Sequence, residues 1–313
     1  MKKLHIVGGG AIGSLVAAGA QKNGIGNACY PRNIVAMPTE ALWQDGGSTM
    51  LQPPLNTPTV LDNSDVLVFP LKVYQLQQAI TQWLPYLENT PTIVLLHNGM
   101  GGLETARSLL PDDYPILLAT TSHGALKETT SSGKIQVRHT GLGATQIGLA
   151  KATHRLPATL SALTQTYPLQ ANAIALLERA LPPVHYQANI LTSLWTKLSI
   201  NAVINPLTAL NNMQNKRIAE AAFAETRHAI CHEFTSVANA YGYDFNEDDV
   251  HEKVLAVAKA TGENYSSMHQ DVLYGRQTEI DAINGYIVEM AKKKGIPVPE
   301  NTLLVERVKA LSL

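Results

Sequence analysis

The chain is 313 residues long, a length that accommodates two domains of about 150 residues each. Its 24 Lys and Arg against 25 Asp and Glu leave a net charge of −1, which supplies no overall field to attract nucleic acid or an anionic membrane. A hydrophobic fraction of 45% with 16% charged residues describes a globular rather than a disordered chain, and two cysteines, Cys29 and Cys231, are too few for a disulfide framework, so a reducing, cytoplasmic setting is expected.

Met1-Lys2-Lys3 followed by an apolar run to Ala20 imitates an export signal. Gly8, Gly9, Gly10 and Gly13 interrupt the run, and glycines that dense weaken an export helix. The same residues make better sense as a strand, Leu4 to Val7, that turns through glycines into a helix, Ala11 to Lys22. A short second strand follows at Ala28-Cys29-Tyr30, then strands at Asp65 to Phe69, Thr92 to Leu96 and Ile116 to Ala119, with helices at Tyr74 to Trp83 and Leu103 to Leu110 between them. Strand and helix in alternation predict a parallel sheet covered on both faces. Between Ser122 and Leu149 shorter runs such as Lys134 to Arg138 and Thr145 to Leu149 predict hairpins that complete that sheet.

From Gln187 the strand pattern stops. Asn189 to Leu207, Ala219 to Tyr241, Asp248 to Lys259, Thr278 to Lys293 and Asn301 to Leu311 all predict helices. The expected division is an α/β nucleotide-binding domain over residues 1–186 and an all-helical substrate domain over 187–313, with a cleft between them. No stretch reaches the ~18 uninterrupted apolar residues of a membrane span.

The turn after the first strand reads Gly8-Gly9-Gly10-Ala11-Ile12-Gly13, a G-x-G-x-x-G. In a strand–turn–helix setting the first glycine permits the turn, the second admits a pyrophosphate and the third lets helix and strand close up, while the helix N-terminus favours the anion. A dinucleotide is therefore the expected ligand. An NAD site wants a carboxylate about twenty residues on, for the ribose 2′-hydroxyl. Between Ser14 and Thr39 there is no Asp or Glu, and Arg32 stands near the end of the second strand. A guanidinium there suits a 2′-phosphate, so NADPH is expected over NADH.

In the helical half, Lys197, Asn201 and Asn205 recur at i, i+4 and i+8 and share one helix face. Ile190, Leu194, Ile200, Val203, Ile204 and Leu207 spread around the same helix and imply burial on most sides. A lysine and two amides in such a helix need partners. Spacing alone leaves a catalytic face and a structural hydrogen-bond network equally open. Glu279 is expected at the margin of an apolar arc formed by Ile280, Ile283, Ile287 and Met290 on a later helix, as a lysine's partner or a cap. Glu263 to Met268 predicts a polar loop, and Asn98 falls just past a strand's carboxyl end, where open α/β sheets bind ligands. His228 and His232, at i and i+4 beside Cys231, have a metal-ligand spacing, but no second ligand cluster accompanies them and a plain polar helix face is the better reading.

These segments together resemble the 2-dehydropantoate 2-reductase (ketopantoate reductase) family of pantothenate biosynthesis. The resemblance runs through the glycine turn, Leu71-Lys72, His97 to Gly101, Leu194 to Leu198, Asn201 to Ala209, Ser266-Ser267-Met268, Thr278 to Gly285 and Pro297 to Asn301. It implies a Rossmann-type doubly wound sheet domain followed by an all-helical domain, and NADPH-dependent reduction of ketopantoate to (R)-pantoate. It implies Lys197 as proton donor and Glu279 as a second catalytic-site residue at the meeting of cofactor and substrate. Asn98 would lie between nicotinamide and substrate, with Asn201, Asn205, Asn215, Asn264 and Ser267 holding the substrate. Gly8 to Gly13, Arg32, Lys72 and Ala125 match cofactor contacts. Two other readings stay open on the residues: a reductase of another small 2-oxo acid, and an NADPH-sensing regulator without turnover. A monomer and a homodimer are equally compatible with the C-terminal helices.

Overall fold

β1 (Lys3–Val7) is buried from Leu4 onward and is flanked on both sides by parallel strands. In the computed structural model, which describes residues 2–150 and 156–311, the chain divides into two units. The first holds residues 1–97 and 102–190, the second residues 98–101 and 191–313.

In the first unit β1 leads through the glycine turn into α1 (Ala11–Lys22) and β2 (Gly26–Tyr30). Two three-residue strands follow, β3 (Glu40–Leu42) and β4 (Ser48–Met50), then β5 (Val66–Phe69), α2 (Val73–Trp83), β6 (Thr92–Leu96), α3 (Gly102–Arg107) and β7 (Ile116–Thr121). β8 (Gly124–Thr129), β9 (Ile135–Gly141) and β10 (Thr145–Leu149) come next, then α4 (Leu160–Thr166), α5 (Pro168–Ala180) and β11 (Val184–Tyr186). The main sheet has the order β11-β10-β7-β6-β5-β1-β2. Five strands, β2 to β7 in that order, are parallel; β10 runs antiparallel to β7 and β11 parallel to β10. β5 and β6 are buried at every position, as strands covered on both faces must be.

The chain leaves β1 toward β2 on one side and returns to β5 on the other. This reversal creates a crevice at the carboxyl ends of β1 and β5, the place where doubly wound sheets take ligands.

The segment after Ser122 departs from expectation. β10 does extend the main sheet, but β8 and β9 form a hairpin in a separate four-stranded sheet of order β4-β3-β9-β8. Their partner β3 pairs parallel to β9 and turns through Asp45-Gly46-Gly47 into β4. Asp45 Oδ1 accepts the Gly47 amide at 2.9 Å, and Trp43 N donates to the Gly47 carbonyl at 2.8 Å. That local turn chemistry makes strands of only three residues possible. α4 and α5 lie in a stretch for which sequence patterning proposes no element; α5 buries Ala173, Ile174 and Leu177 in the same core as α1.

The second unit is helical: α6 (Ile190–Asn211), α7 (Ala224–Ala240), α8 (Glu247–Ala260), α9 (Ser267–Leu273), α10 (Asn284–Lys294) and α11 (Pro299–Ala310). Among the described residues no strand occurs after Tyr186, and no helix is long and apolar enough to cross a membrane. Its core gathers on Trp195, whose ring packs with Phe234, Tyr243 and Tyr286 at centroid distances of 5.8, 5.0 and 5.9 Å. Residues 278–293 do not form the expected single helix. Ile280–Ala282 is one 3-10 turn, Ile283 at φ −109 and ψ −93 breaks the path, and α10 starts afresh at Asn284. The apolar arc from Ile280 to Met290 therefore does not exist as one helix face.

Contact between α1 and α5 is close enough to be tested. A Cβ on Gly19 would lie 1.7 Å from the carbonyl oxygen of Ala180, so backbone would have to move to admit it. Gly19→Ala is expected to cost ~1–3 kcal/mol in chemical denaturation, the range for overpacking a closed core. An unchanged denaturation midpoint would contradict the packing.

Candidate active site

The nucleotide end begins at Gly8, whose φ of +107 lets β1 turn sharply. A Cβ there would also meet Leu71 Cδ2 at 2.6 Å, and one on Gly13 would meet Pro70 Cγ at 2.8 Å. The Pro70-Leu71 corner after β5 is thus packed against the glycine turn. A Cβ on Gly10 would meet nothing within 4 Å, so this glycine faces open space beside the helix N-terminus. Gly10 caps α1 with no side-chain hydrogen bond, and the first turn carries no acidic residue. Ala11 and Ile12 open that turn. Bare N–H groups beside open space at the sheet's crevice fit a pyrophosphate.

Three cations belong to the same region. Arg32 is exposed two residues beyond β2, the strand that neighbours β1. Lys127 on β8 directs its ammonium to the carbonyl of Gly9 at 3.3 Å. Sequence reasoning passes over Lys127, because 118 residues separate it from Gly9 and the local pattern of β8 carries no sign of the pairing. Ala125, two residues earlier, sits half-buried on the same strand, paired with His139. Lys72 opens α2 immediately after the Pro70-Leu71 corner, its backbone N–H bonded to Gln75 Oε1 at 3.1 Å.

The helical unit assembles most of the remaining candidates. Lys197, Asn201 and Asn205 all lie on the 22-residue α6 and share a face; Lys197 and Asn201 are half-buried and Asn205 is 6% exposed. Burial pushes the Lys197 ammonium down to about 8, and the charge of Glu279 opposes that shift. Both effects follow from placing a cation in a poorly solvated site with a carboxylate in range. Glu279 is 7% exposed and precedes the 3-10 turn, so backbone geometry rather than a helix face aims it.

Asn98 is brought to that same turn. Met100 N donates to the Ala282 carbonyl at 2.8 Å, and a Cβ on Gly99, at φ +73, would lie 2.6 Å from that oxygen. Only glycine lets the Asn98-Gly99-Met100 turn sit so closely on the segment that carries Glu279.

Asn215 and Asn264 are joined directly: Asn215 N donates to the Asn264 carbonyl at 2.9 Å. Asn215 Nδ2 is bonded to Thr261 Oγ1 at 2.9 Å, while its buried Oδ1 has no hydrogen-bond partner among the described residues. A buried amide oxygen left this way is ready to accept from a ligand hydroxyl. Asn264 and Ser267 are exposed. Ser267 is the first residue of α9, not part of a loop; its neighbour Ser266 caps the helix by accepting from His269 N, and receives Thr208 Oγ1 at 2.7 Å. The histidine pair has other employment: His228 stacks on His251 at 3.8 Å, and His232 bonds Glu247 at 2.8 Å.

Comparison with known proteins identifies the family. A family model described as "Ketopantoate reductase PanE/ApbA" matches residues 4–152, and one for the C-terminal part of the same family matches residues 189–312. The 2-dehydropantoate 2-reductase of Vibrio cholerae is 35% identical over 306 residues, 98% of this chain and 96% of that protein. Its Bacillus subtilis namesake is 29% identical over 313 residues, 99% and 97% of the two chains. Among solved structures, a PanE/ApbA family ketopantoate reductase from Ralstonia eutropha JMP134 superposes with a TM-score of 0.78 at 25% identity, covering 100% of this chain and 98% of that one. A D-mandelate dehydrogenase in complex with NADH and anilino(oxo)acetate has a TM-score of 0.84 with the same coverages, but at 20% identity it shares the fold alone. On both family models and near-full-length identity, the chain belongs to the ketopantoate reductase family.

Proposed function

We propose that the protein reduces 2-dehydropantoate to (R)-pantoate with NADPH, and that Lys197 supplies the proton. The observation that carries this reading is the half-buried lysine whose ammonium is lowered to about 8 and opposed by Glu279, on a helix face shared with two asparagines. A group that titrates near neutrality can both hold and release a proton at working pH.

A bound nicotinamide dinucleotide supplies the hydride for C2 of the ketone. The groups that would hold it are the α1 N-terminus with Gly8 to Gly13, then Arg32, Lys72, Asn98, Lys127, Ala125 and Glu279. Lys197 protonates the C2 oxygen as negative charge gathers there, and its positive charge stabilises that oxygen before the proton moves. The lysine is left neutral and regains its proton from solvent. Glu279 keeps Lys197 protonated against the pull of burial. Asn201, Asn205, Asn215, Asn264 and Ser267 offer amide and hydroxyl groups to the carboxylate and hydroxyl of the substrate. The Oδ1 of Asn215 is the acceptor suited to the hydroxyl.

Loss of NADPH absorbance with ketopantoate, run beside NADH and 2-oxoisovalerate, tests the reading. Rapid oxidation with ketopantoate and NADPH is expected, and silence with every 2-oxo acid despite NADPH binding would sink it. Lys197→Ala should lower kcat by ~10²–10⁴-fold, the range for losing a general acid, with the melting temperature held. Because the protonated lysine is the active form, kcat/KM for reduction should fall as pH rises through about 8. Glu279→Gln removes the charge that raises the lysine, so that descending limb should move to lower pH. A limb that stays in place would show that Glu279 does not tune Lys197. Arg32→Ala should raise the KM for NADPH by ~10-fold, as for loss of a hydrogen bond to a charged group, and leave the KM for NADH unchanged. An equal loss with both cofactors would remove the 2′-phosphate role.

A further inference from the structure

α6 contains Pro206 in its interior. Proline has no N–H, so the carbonyl four residues back loses its helical partner and is crowded by the ring. That carbonyl belongs to Ala202, which lies between Asn201 and Asn205 in a fully buried part of the helix. Left bare it would cost as much as any orphaned buried acceptor. Asn284 Nδ2 donates to it at 2.9 Å. Asn284 is 0% exposed and stands five residues after Glu279, at the start of α10.

The orientation of this amide is fixed by a chain of donors. Glu233 on α7 accepts Glu300 N at 2.8 Å, Asn301 N at 2.9 Å and Asn301 Nδ2 at 2.7 Å. With its NH₂ turned to the carboxylate, Asn301 can present only Oδ1 to its other neighbour, and it accepts Asn284 Nδ2 there at 2.9 Å. The NH₂ of Asn284 therefore faces both Asn301 and Ala202, and four helices meet on one hydrogen-bond relay.

Pro206 stands in α6 between two groups of candidate site residues. Before it α6 carries Lys197 and Asn201. After it Thr208 bonds Ser266, the cap of the helix that begins with Ser267, and the chain continues to Asn215. A helical bond missing between the two groups would loosen the helix that holds the first in place relative to the second. We propose that Asn284 is a positioning residue: it replaces the hydrogen bond that Pro206 removes, and so holds Lys197 in register with the substrate-binding asparagines. This inference rests on the reading of Lys197 as proton donor.

A double-mutant cycle on Asn284 and Pro206 tests it, because Pro206→Ala restores the N–H that Ala202 lacks. Asn284→Ala is expected to lower kcat for ketopantoate by ~10–100-fold through misplacement of the donor, with the KM for NADPH little changed. Pro206→Ala alone should cost less than about three-fold, and in the Asn284→Ala background it should recover most of the lost kcat. A double variant as slow as Asn284→Ala, or an Asn284→Ala enzyme near wild-type rate, overturns the proposal while leaving the reductase activity intact. Should Asn284→Ala not yield soluble protein, Pro206→Ala is expected to restore it, and an equally insoluble double variant counts against the relay. Thermal melts of the four ligand-free proteins read the same coupling without turnover. If the wild-type protein does not reduce ketopantoate, the assigned function fails, and strict additivity in those melts would separately dispose of the relay.

Discussion

The proposed reaction depends on one ammonium staying charged inside the helical unit. Lys197 lies on a helix whose other faces carry apolar groups, and burial alone would drive it toward the neutral form. A neutral amine neither stabilises a developing oxyanion nor protonates it. Glu279 offsets the loss of solvation without removing the lysine's ability to release its proton. That balance demands a carboxylate held by rigid backbone. The break at Ile283, the 3-10 turn at Ile280–Ala282 and the Asn98-Gly99-Met100 turn seated on Ala282 provide it.

The nucleotide end works by the same electrostatic reasoning with the sign reversed. For the proposed dinucleotide the ligand would be the anion, and the protein offers bare helix N–H groups, a glycine facing open space and the ammonium of Lys127 at the turn. The sheet's reversal between β1 and β5 brings the Pro70-Leu71 corner onto Gly8 and Gly13, so packing alone already requires these glycines. A site of this kind is largely built before any ligand arrives.

Elements governed by local pattern were legible in the sequence. α1 spans Ala11–Lys22, β6 Thr92–Leu96 and β10 Thr145–Leu149, as their periodicity and flanking turns dictate. Elements stabilised by distant partners were not. β3, β4 and β11 have three residues each, too few to show a period of two. The helical pattern over 278–293 ran without a proline through a break imposed by tertiary contacts, so the setting of Glu279 was misjudged while the residue itself was singled out. Lys127 gave no sign at all, and Asn284 stood within the Thr278 to Gly285 segment with no role to mark it. One depends on a strand 118 residues from the glycine turn, the other on a carbonyl 82 residues away that only Pro206 leaves bare.

The account turns on the state of a single side chain, and titration of the Lys197 Nζ by heteronuclear NMR in the folded, ligand-free protein reads it most directly. Resonance assignment would come from the spectrum that Lys197→Arg deletes. The expected result is a lysine that titrates at about 8, well below its ordinary value of 10.5. A Lys197 that titrates with the surface lysines would contradict it, since a fully solvated ammonium would need no carboxylate partner and would have no reason to be the proton donor.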